Sequence, residues 1–258
     1  MTESPKLPKL DRLAAFLEAF SLSASVQPPG RPVDGPCLRV VADEQGAPGG
    51  LVLCLQNRGA APREGSAAVT IAFDNPANPL MGALPPEVRV HLAQAPALKA
   101  ITEVLLGEID GQRCGRATAL DRLAEVLVLM LLREVIESGA RQPGLFAALA
   151  HPQLHRALVA MHDQPARPWT VVELAEQAAM SRTQFMGTFR RVVGTSPMAY
   201  LGSWRLSLAA RALDAGHPVK SVARRVGFQS AAAFSRAYSR TFGRPPVLDR
   251  ARAGAKAP

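Results

Sequence analysis

Apolar and aromatic residues recur at helical spacing in the C-terminal part of the chain. Phe185 and Phe189 lie four positions apart, and Phe234 and Tyr238 do the same. Because residues i and i+4 share one face of a helix, each pair predicts a helix with a buried aromatic face. A shorter stretch of helical spacing precedes each of them, so the pattern predicts two pairs of helices.

Capping and turn residues delimit these helices. Ser181 and Ser230 stand at the N-cap positions of the two aromatic helices, where a hydroxyl accepts from a free backbone N–H. Gly227 predicts a sharp corner before the second helix, since glycine adopts positive φ without strain. Gly243 and the double proline after it end that helix and prevent any continuation. Ala179 replaces the corner glycine in the first copy, which predicts a less tight turn there.

Helix, tight turn and helix in this order form a helix-turn-helix, and the motif is repeated. The stretch FMGTFRRVVG (185–194) aligns with FSRAYSRTFG (234–243) at an offset of 49, whereas the residues upstream align at 48. The segment between the copies predicts a helix of about 19 residues, roughly 28 Å long at 1.5 Å per residue. That length is close to one turn of B-DNA, about 34 Å, so both motifs can enter successive major grooves.

Residues 151–249 resemble the DNA-binding domain of AraC-family transcriptional regulators, because both repeats, the linking helix and the ending GRPP occur in order. The resemblance implies a domain of seven helices, the third and sixth of which read double-stranded DNA. The charge distribution agrees with a phosphate-binding module. Residues 151–258 contain 16 Lys and Arg against 5 Asp and Glu, whereas residues 1–150 contain 14 against 16.

The candidate DNA contacts are the outward positions of the two recognition helices, since early residues reach base edges and later basic residues meet phosphates. They are Arg182, Thr183, Met186, Gly187 and Arg190 in the first copy, and Gln229, Ser230, Ala232, Ser235, Arg236 and Arg240 in the second. Arg236 is the candidate base reader, because arginine can bind guanine O6 and N7 together; a phosphate contact or a solvated charge is the alternative. Arg182 and Arg190 are expected to hold phosphates. By resemblance, Gly187 stands where many relatives carry a polar or basic reader, so the first helix should specify less.

Short β-branched stretches predict strands in the N-terminal half, with helices before and after them. The predicted strands are 37–43, 50–57, 67–73 and 88–93, and the predicted helices are 10–20, 95–109 and 118–138, the last capped by Thr118 and ended by Gly139. This half resembles the cupin-type sensor domain attached to many AraC-family regulators. A full double-stranded barrel needs about eight strands, so a truncated barrel is expected.

The expected fold class is α+β. An N-terminal partial cupin-like β-barrel with following helices precedes a C-terminal all-α domain of two helix-turn-helix motifs joined by a long helix. The predicted domains are a sensor and dimerisation domain at 1–144, a DNA-binding domain at 145–250 and a disordered tail at 251–258. A fragment from about residue 145 onward is expected to fold and bind DNA alone, with weaker affinity.

The helix predicted at 118–138 has a wide apolar face. If the thin barrel does not cover that face, Leu127 and Leu131 mark a homodimer interface. The alternative is that the helix packs wholly inside its own domain.

Three cysteines, an odd number, do not form a disulfide framework. Cys37 and Cys54 lie on candidate strands, where they form either an oxidant-sensing thiol pair or two small core residues. Cys114 lies in a polar loop between arginines, which favours a thiolate there.

His151 and His155 are spaced i, i+4, but Pro152 stands where a zinc protease places its glutamate base. The pair is expected at a helix start. With no catalytic or metal-binding motif recognised, no enzyme activity, metal or cofactor is expected.

The N-terminus lacks the apolar segment of a signal peptide, and the longest apolar run, residues 126–132, is far below the ~20 residues of a membrane span. A cytoplasmic, one-component transcriptional regulator is therefore expected. RNA polymerase and a small-molecule effector are candidate partners besides DNA. The alternatives are a regulator with a degenerate sensor, controlled by abundance or a protein partner, and a cupin-derived enzyme.

Overall fold

The computed structural model describes residues 11–20, 22–27, 32–60, 67–73, 78–138 and 143–255. They divide into two compact units. One unit is residues 21–139, and the other joins residues 1–20 to residues 140–258.

The first unit is built on one antiparallel sheet with the strand order β1-β4-β2-β3-β5. The strands are β1 (Leu22–Gln27), β2 (Val33–Ala42), β3 (Pro48–Ala60), β4 (Ala68–Phe73) and β5 (Glu87–His91). The four predicted strands are present, although Leu92–Gln94 form a 3₁₀ turn in place of the predicted end of β5. The sequence pattern missed β1, because its small and polar residues (LSASVQ) carry little of the apolar alternation by which a strand is recognised.

The helices, in chain order, are α1 to α12. They are α1 (Ala14–Ala19), α2 (Pro79–Ala83), α3 (Pro96–Asp110), α4 (Arg116–Glu137), α5 (Leu145–Ala150), α6 (Leu154–Asp163), α7 (Val171–Gln177), α8 (Arg182–Val193), α9 (Pro197–Asp214), α10 (Val219–Arg225), α11 (Ala231–Phe242) and α12 (Pro246–Ala255). Helices α2 to α4 belong to the sheet unit, and α1 and α5 to α12 belong to the other unit.

Helix α4 buries its apolar face inside the sheet unit, where it packs against α3 and β1. Leu127 and Leu131 are fully buried there. The dimer prediction rested on the premise that this apolar face is left uncovered, and the structure contradicts that premise. The helix begins two residues before the predicted cap, after Gly115 in the left-handed conformation, and Thr118 lies in its first turn. Gly139, its predicted end, lies outside the described residues.

Two further boundaries differ from the sequence prediction. Gly243 ends α11 as expected, but Pro246 begins α12 instead of stopping the helical structure. Proline suits the first turn of a helix, where its missing N–H has no partner to lose. Helix α12 runs to Ala255 and so includes part of the segment predicted as a disordered tail; residues 256–258 lie outside the described residues.

Helix α1 packs in the helical unit, although the sequence placed it in the N-terminal domain. The Phe16 ring lies 4.5 Å from the His162 ring and 4.6 Å from the Trp204 ring, between centroids. Phe20 also contacts Trp204, at 5.6 Å. An N–H of Arg12 donates to the carbonyl oxygen of Leu149 at 2.9 Å. Residues 11–20 therefore belong to the core of the helical unit.

His162 is the polar centre of this aromatic cluster. Its Nε2 lies 2.7 Å from the hydroxyl oxygen of Tyr200, whereas its buried Nδ1 has no hydrogen-bond partner among the described residues. Burial lowers the pKa of His162 to about 3, because a charged imidazolium would lose its hydration there.

We expect the stability of the helical unit to fall as the pH falls from about 6.5 to 3. The unfolded chain protonates His162 near its ordinary pKa of 6.5, whereas the folded chain does so only near 3. The unfolded state therefore binds more protons in this window and is favoured as the pH falls. Acid unfolding followed by tryptophan fluorescence measures the effect, and His162→Phe should flatten the slope. An unchanged slope in that variant would assign the pH dependence to other groups.

Candidate nucleic-acid interface

The corners of the two helix-turn-helix motifs share a left-handed residue and the hydrogen bond that closes the turn. Ala179 has a φ of +51° and Gly227 a φ of +85°. The following amide donates in both copies to the carbonyl five residues back, from Met180 to Ala175 and from Phe228 to Ala223, each at 2.9 Å. The first corner is therefore closed by the same hydrogen bond as the second, and the expectation of a less tight turn is wrong.

Ala179→Gly should raise the stability of the helical unit by about 0.5–1 kcal/mol. A left-handed conformation costs an L-residue about 1–2 kcal/mol, and the greater freedom of glycine in the unfolded chain offsets part of that gain. Thermal unfolding of the two proteins measures the difference. Ala178→Gly is the matched control: Ala178 is buried at negative φ, so this change should destabilise. A loss of stability in both variants would contradict the strain at Ala179.

Both recognition helices begin and end in the same way. The Ser181 Oγ accepts from the Gln184 amide at 3.3 Å in α8, and the Ser230 Oγ accepts from the Ala233 amide at 3.1 Å in α11. Gly194 ends α8 and Gly243 ends α11, both at positive φ. The caps set the starting point of each helix and thereby the direction in which its side chains project.

The inward faces of α8 and α11 are the aromatic pairs that the sequence predicted. Phe185, Phe189, Phe234 and Tyr238 are all fully buried. The Tyr238 hydroxyl donates to Asp249 Oδ2 at 2.6 Å, which ties α11 to α12.

The outward faces carry the candidate DNA contacts. Ten of the eleven are exposed, and Ser235 is only half-buried: the exposed residues are Arg182, Thr183, Met186, Gly187, Arg190, Gln229, Ser230, Ala232, Arg236 and Arg240. A side chain added at Gly187 would meet no atom within 4 Å, so this position is open on the surface of α8.

The loop between α6 and α7 lies against the second motif and against α9, a contact that the sequence did not reveal. Arg205 of α9 donates from Nε to the Pro165 carbonyl at 2.6 Å and from Nη2 to the Arg167 carbonyl at 2.8 Å. A Cβ at Gly227 would lie 2.8 Å from both Cα and O of Ala166. The loop thus connects the first motif, the linking helix and the second motif.

The same loop is anchored to the start of α7 by a capping box. Glu173 accepts from the Thr170 amide and hydroxyl, each at 2.8 Å, and from Arg167 at 2.8 Å. These bonds, the Thr170 amide first, lower the pKa of Glu173 to about 2. The Arg167 guanidinium also lies 4.0 Å from the centroid of the Trp169 ring.

His151 and His155 lie at the start of α6. The His151 Nδ1 accepts from the amides of Gln153 and Leu154, each at 3.2 Å, and this capping satisfies two backbone donors of the helix. No group of three or more His, Cys, Asp or Glu side chains in the described part of the chain is placed to hold a metal ion. No helix among the described residues is long and apolar enough to span a membrane.

Two capped helix-turn-helix motifs, joined by one helix and linked through a shared loop, define a helix-turn-helix protein of the double-motif class. A helix-turn-helix domain family matches residues 174–252, and a cupin family matches residues 17–137. The chain therefore contains a helix-turn-helix domain and, before it, a cupin domain, and it is similar to proteins named AraC-like transcription regulators.

Individual relatives are named as regulators. The HTH-type transcriptional regulator AlkR of Acinetobacter baylyi is 34% identical over 174 residues, which are 66% of this chain and 57% of that protein. A putative AraC-like transcription regulator of Streptomyces lividans is 38% identical over 173 residues, 65% of this chain and 56% of that protein. The chain thus spans little more than half the length of these relatives. The DNA-binding domain of AdpA, solved with a target DNA, is 30% identical and covers 42% of this chain and 98% of that one, with a TM-score of 0.39.

Proposed function

We propose that the protein is a sequence-specific, DNA-binding transcriptional regulator that inserts α8 and α11 into successive major grooves. The repeated motif carries the proposal, since both helices have the same cap, the same corner and an exposed outward face. The excess of 16 Lys and Arg over 5 Asp and Glu in residues 151–258 supports phosphate binding. The linking helix α9 has 18 residues and is therefore about 27 Å long, close to the spacing of successive grooves.

The two recognition helices differ in the side chains that they present. Ala232, Arg236 and Arg240 form an exposed stripe on α11, opposite its aromatic face. The repeat places Gly187 of α8 at the position of Arg236. We therefore infer that α11 reads a base through Arg236, whereas α8 holds the DNA backbone through arginines such as Arg190.

Arg236→Ala should cost about 1–3 kcal/mol of affinity at the cognate site and relax the preference at one base pair, because a bidentate contact to guanine is lost. Arg190→Ala should weaken binding to all sequences alike and lower the salt dependence by about one unit. Affinities for a panel of single-base operator variants at two salt concentrations measure both effects.

The matched control is Arg122→Ala, which removes the same charge from an exposed side chain in the sheet unit. It should change affinity little. If Arg236→Ala lowers the affinity for every operator variant equally, Arg236 contacts a phosphate. The proposal that α11 reads a base while α8 holds the backbone would then be wrong, but the proposed DNA binding would be unaffected. Absence of DNA binding by the 258-residue chain at low salt would overturn the proposed function.

We propose that residues 22–138 act as the sensor unit of the regulator and that the protein is a binding protein, not an enzyme. We also propose that it acts in the cytoplasm, where bacterial DNA lies. Its proposed partners are a second copy of the chain in a homodimer, RNA polymerase and a small-molecule effector. The five-stranded sheet of the described residues favours one alternative, a degenerate sensor controlled by abundance or by a protein partner. A thermal-shift screen separates these cases, since a ligand of the folded state must raise the Tm.

A further inference from the structure

Cys37 of β2 and Cys54 of β3 lie directly opposite each other in the sheet. Opposed residues of antiparallel strands have Cα atoms about 4.5–5.5 Å apart, which is inside the range of about 4.4–6.8 Å that a disulfide spans. Because directly opposed residues of paired strands share one face, both side chains project from the same face of the sheet. Joining the sulfurs therefore requires no change of strand register.

Polar groups surround Cys54. Arg39 donates from Nη2 to Cys54 Sγ at 3.3 Å, and Cys54 Sγ lies 3.9 Å from Glu87 Oε2. A guanidinium interacts favourably with negative charge that develops on a sulfur as it reacts, and the Cys54 thiol donates a hydrogen bond to the Glu87 carboxylate. The Arg39 Nε is buried without a hydrogen-bond partner among the described residues, so a donor is available for an oxygen atom added to the sulfur.

The two cysteines have different surroundings. Cys54 is 8% exposed and Cys37 is fully buried, so a small oxidant reaches Cys54 first. Burial, followed by the neighbouring Cys54, raises the pKa of Cys37. Cys37 is therefore kept as a thiol beside the cysteine that reacts.

We propose that Cys37 and Cys54 are an oxidant-sensing dithiol that closes to an intramolecular disulfide on reaction with a peroxide. The Cys54 thiolate attacks one peroxide oxygen, the O–O bond breaks, and the leaving hydroxide takes up the former thiol proton to give water and a sulfenic acid. Cys37 sulfur then attacks Cys54 sulfur, the S–O bond breaks, and the hydroxide leaves with the Cys37 proton as a second water. Two thiols are oxidised and one peroxide is reduced to two waters.

This proposal goes beyond DNA binding and does not depend on it, because every group involved lies in the sheet unit. In the test, the reduced 258-residue chain is treated with hydrogen peroxide, then denatured and alkylated. Peptide mass spectrometry should find the Cys37 and Cys54 peptides joined, with the loss of two hydrogen atoms per chain and recovery of both thiols after reduction.

Three substitutions test the roles of individual residues in the oxidation of Cys54 and in disulfide formation. Cys114→Ser removes the exposed cysteine and should leave disulfide formation unchanged. Cys37→Ser should hold Cys54 as a sulfenic acid that dimedone labels, and Arg39→Gln should slow oxidation of Cys54 by about threefold or more, since the charge beside the sulfur is lost. If a cysteine variant does not fold, the peptide map of the protein without substitutions is sufficient to test whether the disulfide forms.

The proposal is overturned if Cys37 and Cys54 both remain thiols while Cys114 is oxidised. It is equally overturned if Cys37 and Cys54 are oxidised only after the protein is unfolded, because the opposed strands would then have no part in the reaction.

Discussion

Gly227→Ala is expected to lower the free energy of unfolding of the helical unit by about 2–5 kcal/mol. The new Cβ would lie 2.8 Å from the backbone of Ala166, and the residue would keep its φ of +85°. The left-handed conformation costs an L-residue about 1–2 kcal/mol, and displacing packed backbone costs about 1–3 kcal/mol more. Urea unfolding followed by tryptophan fluorescence measures the loss, since both tryptophans of the chain, Trp169 and Trp204, belong to this unit.

Gly243→Ala is the matched control. Gly243 also ends a helix at positive φ, but a Cβ there meets no atom within 4 Å. It should therefore cost only the conformational term, about 1–2 kcal/mol. The difference between the two variants isolates the contact between the corner and the loop of Ala166. Equal losses would show that this loop does not press against the second motif.

Phe16→Ala is expected to destabilise the same unit by about 3–5 kcal/mol, the usual cost of removing a buried phenylalanine ring. Phe16 is fully buried between His162 and Trp204. Its loss leaves a cavity beside Trp204, so the tryptophan emission of the folded protein should also shift. Thermal and urea unfolding measure the loss of stability.

Leu17→Ala serves as the control for Phe16, because Leu17 lies on the same short helix and is only half-buried. It should cost clearly less. A Phe16→Ala variant as stable as Leu17→Ala would show that α1 does not belong to the core of the helical unit. A fragment that begins near residue 145 lacks α1, so it exposes Trp204 and should be less stable than the whole chain.

Local signals in the sequence are sufficient to place the recognition helices. The spacing of Phe185 and Phe189 selects the buried face of α8, and Ser181 marks its start, because helical period and capping act over neighbouring residues. The same signals were weak at β1, whose serines and alanine resemble a loop. They were misleading at Ala179, because the residue type predicted a looser turn there. The structure instead holds this alanine in the left-handed conformation, which is typical of glycine, with Schellman-type hydrogen bonding around it.

The exposure of ten of the eleven candidate DNA contacts could be predicted for the same reason, since an exposed stripe follows from the buried one, whereas Ser235 is half-buried. Their contact with DNA stays a prediction. The apolar face of α4 shows the limit of this argument. Its pattern indicates that Leu127 is buried, but it does not identify the element that packs on it. The structure shows that α3 and β1 of the same unit pack against this helix.

By itself, the sequence determined the repeated helix-turn-helix, its caps, its core faces and the concentration of positive charge in the C-terminal part, all of which depend on residues close together in the chain. Only the tertiary structure decided that Phe16 packs beside Trp204, that Gly227 must leave room for Ala166, and that Cys37 faces Cys54. Each of these contacts joins segments that are distant in sequence. No periodicity specifies such a pairing, because it depends on which surfaces exclude water and fit each other once the chain has folded.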